Sequence, residues 1–236
     1  MAKVVILSGA GISAESGICT FRESDGLWEN HDVSVVCNYD SLEKNEAVTI
    51  KFYDQRRANI KDKVPNKAHK TIAALKEKYK DDIAVMTQNI DDLFEKAGIK
   101  SEDLIHLHGF LKELRCRNST CGNIVNIGYE KQKEANGGIC AKCGEKLRPN
   151  IVFFGETAPK YEELNHHIED CEMFVVIGTS GNVVGVNTIA SFADISILNN
   201  LEPSSAIDES VFNKVIYDKA TVAIDDISKE IEQFLA

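Results

Sequence analysis

The apolar run Val4-Val5-Ile6-Leu7 stops at Ser8-Gly9-Ala10-Gly11-Ile12-Ser13-Ala14-Glu15-Ser16-Gly17, and this stretch limits the fold more than any other. Four consecutive apolar residues describe a short buried strand, and the residues after the glycine turn are able to open a helix. Gly9, Gly11 and Ala14 keep the G-x-G-x-x-G/A spacing of a dinucleotide site. Glycine lets the backbone turn tightly and approach a ligand closely. The N–H groups at a helix start, with the helix dipole, favour an anion. A plain glycine turn with no cofactor accounts for the same residues.

A dinucleotide fold of the dehydrogenase type places a second strand, ending in Asp or Glu, about twenty residues after the glycines. Here Gly17-Ile18-Cys19-Thr20-Phe21-Arg22 and Asp25-Gly26-Leu27-Trp28 follow, with no strand pattern. The next strand signal is Ile83-Ala84-Val85-Met86-Thr87, so an insertion separates the first turn from the rest of the sheet.

Taken together, Gly9 to Ile18 followed by Phe21-Arg22 resembles the opening motif of the sirtuins, the NAD-dependent protein-lysine deacylases. Many sirtuins carry Pro-Asp where this chain has Cys19-Thr20, and the Thr version is similar to the bacterial branch that resembles desuccinylases. The resemblance extends over nearly the whole chain through several separate motifs. It implies that Gly9, Ala10, Gly11, Ile12, Ser13 and Glu15 belong to the NAD site. It also implies that the segment with Phe21, Arg22 and Trp28 closes over the nicotinamide riboside, Phe21 shielding the reacting carbon.

The totals suit a soluble globular protein with a sizeable core. At 236 residues and 43% hydrophobic content the chain suits one large domain or a domain with an inserted module. A formal charge of −10 argues against bulk nucleic-acid or anionic-membrane binding. Met1-Ala2-Lys3 runs straight into the first strand without a signal-peptide pattern, and no apolar run reaches membrane-span length. Seven cysteines in such a chain suggest metal or free thiols, and a cytoplasmic location is expected.

Residues 30 to 65 read as polar and helical, with Pro65 ending the run and Asn66 placed to cap a helix through Ala68, Ile72, Leu75 and Tyr79. Tyr53 and Arg56 stand at i and i+3 on one helix face, which a half-buried Tyr beside a solvated Arg also explains. By resemblance, this Tyr-x-x-Arg pair matches residues with which some sirtuins hold an acidic acyl group. Gln88-Asn89-Ile90-Asp91-Asp92 follows the strand at 83–87, at the strand end where open α/β sheets bind ligands; Asp92 also suits the cap of the next helix. The resemblance puts Asn89 and Asp91 in the nicotinamide pocket, with Gln88 on the ribose and Ile90 between them.

His106 and His108 lie two apart in Leu104-Ile105-His106-Leu107-His108-Gly109, hence on one face of an extended segment. They read as a metal pair or as two satisfied histidines. In sirtuins the His directly before the Gly is the general base, which implies His108 and leaves His106 structural. The strongest bare motif is Cys116-x4-Cys121 followed by Cys140-x2-Cys143, two close thiol pairs able to surround a tetrahedral zinc with no open position, free thiols being the alternative. Cys19, Cys37 and Cys171 read as packing residues.

Leu147 to Glu156 leads back to the main domain, and Val152, Phe153 and Gly155 fall in the segment whose backbone, by resemblance, pairs with the substrate peptide by strand addition. Met173 to Ile177 is another buried strand, and Gly178-Thr179-Ser180 matches a sirtuin Gly-Thr-Ser motif. Asn200, Leu201 and Glu202 follow the end of the next strand, Ile195 to Leu198, and the resemblance implies that they lie on the adenosine side, with Ala220 in the last adenine-facing loop. The stretch from 183 to 199 has no Pro and is shorter than in most sirtuins.

The expected fold is an α/β, Rossmann-like parallel sheet formed by 1–24, 66–110 and 150–236. A helical insertion covers 25–65 and a zinc module 111–149. The expected function is NAD-dependent protein-lysine deacylation, with acetyl, succinyl and malonyl groups transferred to ADP-ribose and nicotinamide released. His108, Asn89 and Asp91 are the catalytic residues, the cofactors are NAD and zinc, the partners are acyl-lysine proteins or peptides, and the chain is expected to act as a monomer. A non-catalytic NAD- or zinc-dependent binding module and a hydride-transferring oxidoreductase are the alternatives.

Overall fold

The computed structural model describes residues 2–20, the backbone of 27–28, and 31–236. In chain order the elements are β1 (Val4–Ser8), the single turn α1 (Gly11–Ala14), β2 (Leu27–Trp28), β3 (His31–Asp32), α2 (Val33–Val36), α3 (Glu46–Lys61) and α4 (Lys67–Tyr79). Then come β4 (Ile83–Thr87), α5 (Leu93–Ala97), β5 (Leu104–His106), β6 (Gly109–Cys116), β7 (Ile124–Asn126) and β8 (Leu147–Ile151). The chain closes with α6 (Tyr161–Ile168), β9 (Met173–Ile177), α7 (Val186–Phe192), β10 (Ile195–Asn200), β11 (Lys214–Tyr217) and α8 (Ala220–Phe234).

Six of these strands form one sheet in the order β11-β10-β9-β1-β4-β5, and every pairing in it is parallel. The chain winds outward from β1 in one direction and then in the other, the strand order of doubly wound dinucleotide folds. The expected α/β class therefore holds. Alternation along β1 serves both sides: Val4 and Ile6 join a core with Ile72 of α4 and Ile224, Ile227 and Ile231 of α8. Val5 and Leu7 join a second core with Leu164 of α6 and Val186 and Ile189 of α7. The shortened 183–199 stretch thus still supplies a helix for that face.

Local signals explain the helix ends. The Asn66 carboxamide oxygen accepts from the N–H groups of Ala68 and His69, so it caps α4 as expected. Gly98 at φ 111° ends α5, its N–H bonding to Glu95 O while Ile99 N reaches Phe94 O. Asp92, expected as the cap of α5, does not cap it. The Leu93 N–H goes to Asp91 Oδ1 instead, and the buried Asp92 carboxylate faces Lys96, Lys112 and the Tyr129 hydroxyl.

The helical insertion and the zinc module share one hydrophobic cluster. Val36, Phe52, Tyr53 and Ile60 pack with Leu111, Ile151 and Phe153. β6 and β8 pair antiparallel and run continuously from the sheet side into the cysteine module, across the limits expected at 110 and 149. Arg57 fastens the two parts together. It is fully buried and donates to Glu130 O at 3.0 Å and Leu111 O at 3.3 Å, and it pairs with Asp54.

Candidate active site

Register puts the ends of four strands level: Ser8 pairs with Thr87 on one side and Ile177 on the other, and Ile177 pairs with Asn199. The turns after β1, β4, β9 and β10 therefore leave the same edge. The direction of winding changes between β1 and β9, so the first turn and the Gly178 turn flank the switch point where such sheets bind ligands.

The glycines do something the motif alone does not express. Gly11 N donates to Gly178 O at 2.8 Å, and Gly9 N to Ile177 O at 2.9 Å. A Cβ on Gly9 would lie 2.6 Å from Gly178 O, and one on Gly178, at φ 68°, would lie 2.5 Å from Ile12 N. The two turns touch backbone to backbone. The N–H groups of Ile12 and Ser13 close the turn itself, on Gly9 O and Ala10 O. The sequence suggests free helix-start donors, whereas the structure engages these four donors within the protein.

Beneath the turns lies a polar network. The Ser13 hydroxyl donates to Asp91 Oδ2 at 2.9 Å, and the Asn89 amide donates to Gly9 O at 3.0 Å and Ser13 Oγ at 3.1 Å. Burial raises the pKa of Asp91, partly offset by the Leu93 N–H and the Ser13 hydroxyl. Gln88 Nε2 donates to Thr179 Oγ1 at 2.9 Å, and Asn200 Nδ2 to Thr179 O at 2.9 Å. Gln88, Asn89, Asp91, Ser13, Thr179 and Asn200 are thus brought together from four strand ends, with Ala10, Ile90 and Ser180 on the same turns.

Other expected site residues lie elsewhere. Glu15 is exposed and its carboxylate accepts from the N–H and hydroxyl of Thr221, at 3.1 and 2.7 Å, fastening the first turn to the start of α8 beside Ala220. Leu201 and Glu202 are exposed on the loop after β10. Phe21 and Arg22 lie outside the described residues, as does the side chain of Trp28. Cys19 is exposed, so it is not a packing residue, whereas Cys37 is buried.

The two histidines separate clearly. His106 Nδ1 lies 2.9 Å from Asn89 O and Nε2 lies 2.9 Å from Glu95 Oε1. A carbonyl and a carboxylate both accept, so the arrangement favours a proton on each ring nitrogen. Burial, the largest single effect, would lower its pKa, and the Glu95 carboxylate, the Asn89 carbonyl and Asp91 together outweigh burial and raise it. His108 Nδ1 lies 3.0 Å from Gln88 O, while Nε2 lies 3.0 Å from the Tyr161 hydroxyl. A carbonyl on one side and a hydroxyl on the other allow a neutral ring with the proton on Nδ1. Burial lowers the pKa of His108, against a smaller opposing effect of the Gln88 carbonyl.

Two participants escaped the sequence. His69 in α4 is fully buried, its Nε2 3.5 Å from Ser13 Oγ and its ring edge-on to Phe94 at 4.9 Å. A lone histidine between Ala68 and Ile72 on an apolar face was its only signal. Tyr161 carries no local signal at all.

Tyr53 stacks on Phe153 with ring centroids 5.7 Å apart, and Arg56, one turn on, is 4% exposed. Val152 donates its N–H to His108 O at 2.9 Å, joining this wall to the turn that bears His108. Phe153 is buried and Gly155 exposed. The segment is already bridged within the chain, Phe154 N bonding Cys37 O and Tyr39 N bonding Phe154 O.

In the small lobe the sulfurs of Cys116, Cys121, Cys140 and Cys143 lie within 4.8 Å of one another, with Cys116 and Cys143 3.4 Å apart and Cys121 and Cys140 3.8 Å apart. A tetrahedron with zinc–sulfur bonds of about 2.3 Å places sulfurs about 3.8 Å apart, so the set fits zinc.

Comparison with known proteins joins these features. The Sir2 family profile matches residues 9–185. The chain belongs to the Sir2 family. It is 47% identical over 236 residues to a Campylobacter jejuni protein named NAD-dependent protein deacylase, covering 100% of this chain and 98% of that one. A Helicobacter hepaticus protein of the same name is 42% identical, over 99% of both chains. Among solved structures, a Sir2 homologue in complex with NAD superposes with a TM-score of 0.83 at 31% identity, covering 99% of this chain and 90% of that one. A Sir2 protein bound to acetylated peptide superposes with a TM-score of 0.77 at 26% identity, covering 97% and 93%.

Proposed function

We propose that this Sir2 protein is an NAD-dependent protein-lysine deacylase that transfers the acyl group to ADP-ribose and releases nicotinamide. The single observation that carries the reading is the contrast between the two histidines. His106 lies between a carbonyl and a carboxylate, which favour its cation, whereas His108 lies between a carbonyl and a hydroxyl, which suit a neutral ring with Nε2 basic. Only a neutral imidazole accepts a proton.

The residues present fit NAD. Two glycine turns meet without side chains at the switch point, and the amides and hydroxyls of Gln88, Asn89, Ser13 and Thr179 cluster beside them. NAD, when bound, supplies an electrophilic ribose carbon with nicotinamide as its leaving group. Gly9 to Ser13, Gly178 to Ser180 and Asn200 would hold it, with Asn89 and Asp91 at the nicotinamide end. His108 Nε2 accepts the ribose hydroxyl proton, and its Nδ1–H, anchored on Gln88 O, keeps Nε2 the basic atom. Asn89 is fixed through Gly9 and Ser13 before any ligand arrives, so orientation is prepaid. The four cysteines hold a structural zinc away from this chemistry. Unpaired thiols set for a metal suit a reducing compartment, which supports a cytoplasmic location.

The substrate is an acyl-lysine peptide or protein, and Tyr53 with Arg56 supports acceptance of succinyl and malonyl groups beside acetyl. Both sit on α3, Tyr53 stacked on Phe153 and Arg56 buried one turn on, and the Arg56 fork suits a carboxylate. Arg56→Met should raise KM for succinyl-lysine about ten- to a hundredfold, the worth of charged hydrogen bonds, and change acetyl-lysine kinetics little. Equal losses on both substrates would overturn the acidic-acyl reading. Arg57 is no control for this test, because it ties the two small modules together; Lys51, exposed on the same helix, is.

Incubation with NAD and acyl-lysine peptides decides the activity. Nicotinamide release with deacylated peptide is expected, and His108→Ala should abolish it in a folded protein while His106→Ala retains turnover. NADH absorbance would indicate an oxidoreductase, and no product at all a binding module.

A further inference from the structure

The first residue of α6 reaches across to the base. Tyr161 Oη lies 3.0 Å from His108 Nε2, with the ring centroids 6.1 Å apart. The direction of that hydrogen bond follows from the other side of the ring. Gln88 O accepts only, so Nδ1 carries the proton and Nε2 of the neutral ring has a lone pair. The Tyr161 hydroxyl must therefore donate to Nε2. An imidazole nitrogen has one such lone pair, and a general base uses it to take up a proton. With Tyr161 in place, the basic atom of His108 is already occupied by a hydroxyl of the kind it is to deprotonate.

Tyr161 is free to leave. Its side chain is partly exposed at the rim of the second core, and it opens a short helix held to that core by the buried Leu164. Its N–H bonds to Ala158 O at 3.2 Å, and the stretch before it begins at Gly155, exposed and at φ 88°. A rotation about the tyrosine side chain withdraws the hydroxyl without disturbing the turn between β5 and β6 that carries His108.

We propose that Tyr161 is a positioning residue for the general base, its hydroxyl standing in for the ribose hydroxyl and holding His108 in its reactive tautomer with Nε2 masked until that hydroxyl replaces it. This rests on His108 as the base. One hydroxyl donor is exchanged for another, so no charge moves when the mask comes off. The exchange adds a competitor to ligand binding rather than a group to the chemical step.

The test is carbethoxylation of His108 in the unliganded protein by diethyl pyrocarbonate, located by peptide mass spectrometry. The reagent needs the free lone pair of a neutral imidazole. In Tyr161→Phe, which keeps the ring and its packing, His108 should be modified about two- to tenfold faster, the range expected for one neutral hydrogen bond. KM for NAD should fall by a similar factor at unchanged kcat. An unchanged modification rate in the folded variant overturns the proposal, as does a fall in kcat at constant KM. The wild-type protein offers a reading without any variant: nitrogen-15 spectra should show His108 protonated at Nδ1 and bare at Nε2, and protonation at Nε2 overturns it. Turnover surviving in His108→Ala would refute the base assignment instead, leaving the carbethoxylation result to report on the contact alone.

Discussion

His69 shows how a single buried side chain carries a solution property. It has no exposed surface, and burial lowers its pKa from 6.5 to about 4. The unfolded chain binds a proton near pH 6.5 that the folded chain refuses until about pH 4, so between these values the unfolded state holds more protons. Stability from this group is present above the unfolded pKa and is lost as pH falls from 6.5 toward 4. The full shift corresponds to about 3 kcal/mol. His106, with its pKa raised by Glu95, works in the opposite sense, so the comparison needs a variant. Urea unfolding at pH 7 and pH 4.5 should show a smaller acid loss in His69→Gln than in wild type. Parallel losses in the two proteins would mean that the ring is not held neutral. The same ring stands beside Ser13, so acid that protonates it also disturbs the hydroxyl that Asn89 and Asp91 share.

At the scale of elements, the end of α3 is finished by a residue far away in sequence. Lys96 of α5 donates to Ile60 O at 2.7 Å, Lys61 O at 3.1 Å and Lys63 O at 3.0 Å, and its ammonium pairs with the buried Asp92 at 3.0 Å. The last carbonyls of a helix have no partners of their own, and a cation there also suits the helix dipole. One ammonium therefore fixes α3 to α5, and with it the position of Tyr53 and Arg56 relative to the strand end bearing Asn89. Lys96→Met keeps the aliphatic stem and removes the donor. We expect a loss of about 2–3 kcal/mol in urea unfolding, because charged hydrogen bonds are removed and Asp92 keeps only Lys112 and Tyr129. A loss below about 0.5 kcal/mol, the level of ordinary surface changes, would show that the carbonyls are satisfied by water instead.

At the scale of the whole molecule, the cysteine module has little to hold it without metal. Its buried cluster is Leu114, Cys116, Ile127, Cys140 and Leu147, and two of these are themselves expected ligands. Cys140→Ala should lose zinc, measured as one ion per wild-type chain by metal analysis, and lower Tm by about 5–15 °C. Because β6 and β8 run from this module into the cluster around Tyr53 and Phe153, KM for acyl-lysine peptide should rise as well. Freshly purified, reduced protein without zinc would refute the assignment.

What the sequence determined by itself is local or periodic. Continuous apolar runs at 4–7 and 173–177 suffice for a parallel sheet because both faces are covered, and spacing alone identifies four thiols able to meet. Asn66 caps its helix because the interaction spans three residues. Tertiary structure decided whatever depends on partners distant in the chain. Gly9 and Gly11 are required by the backbone at Gly178, Asp92 gives up a cap for two lysines and a tyrosine, and Glu15 goes to Thr221. His106 and His108 are the same residue type two positions apart, and no periodicity tells them apart. Their surroundings favour different proton states because folding sets a carboxylate of α5 against one ring and a hydroxyl of α6 against the other.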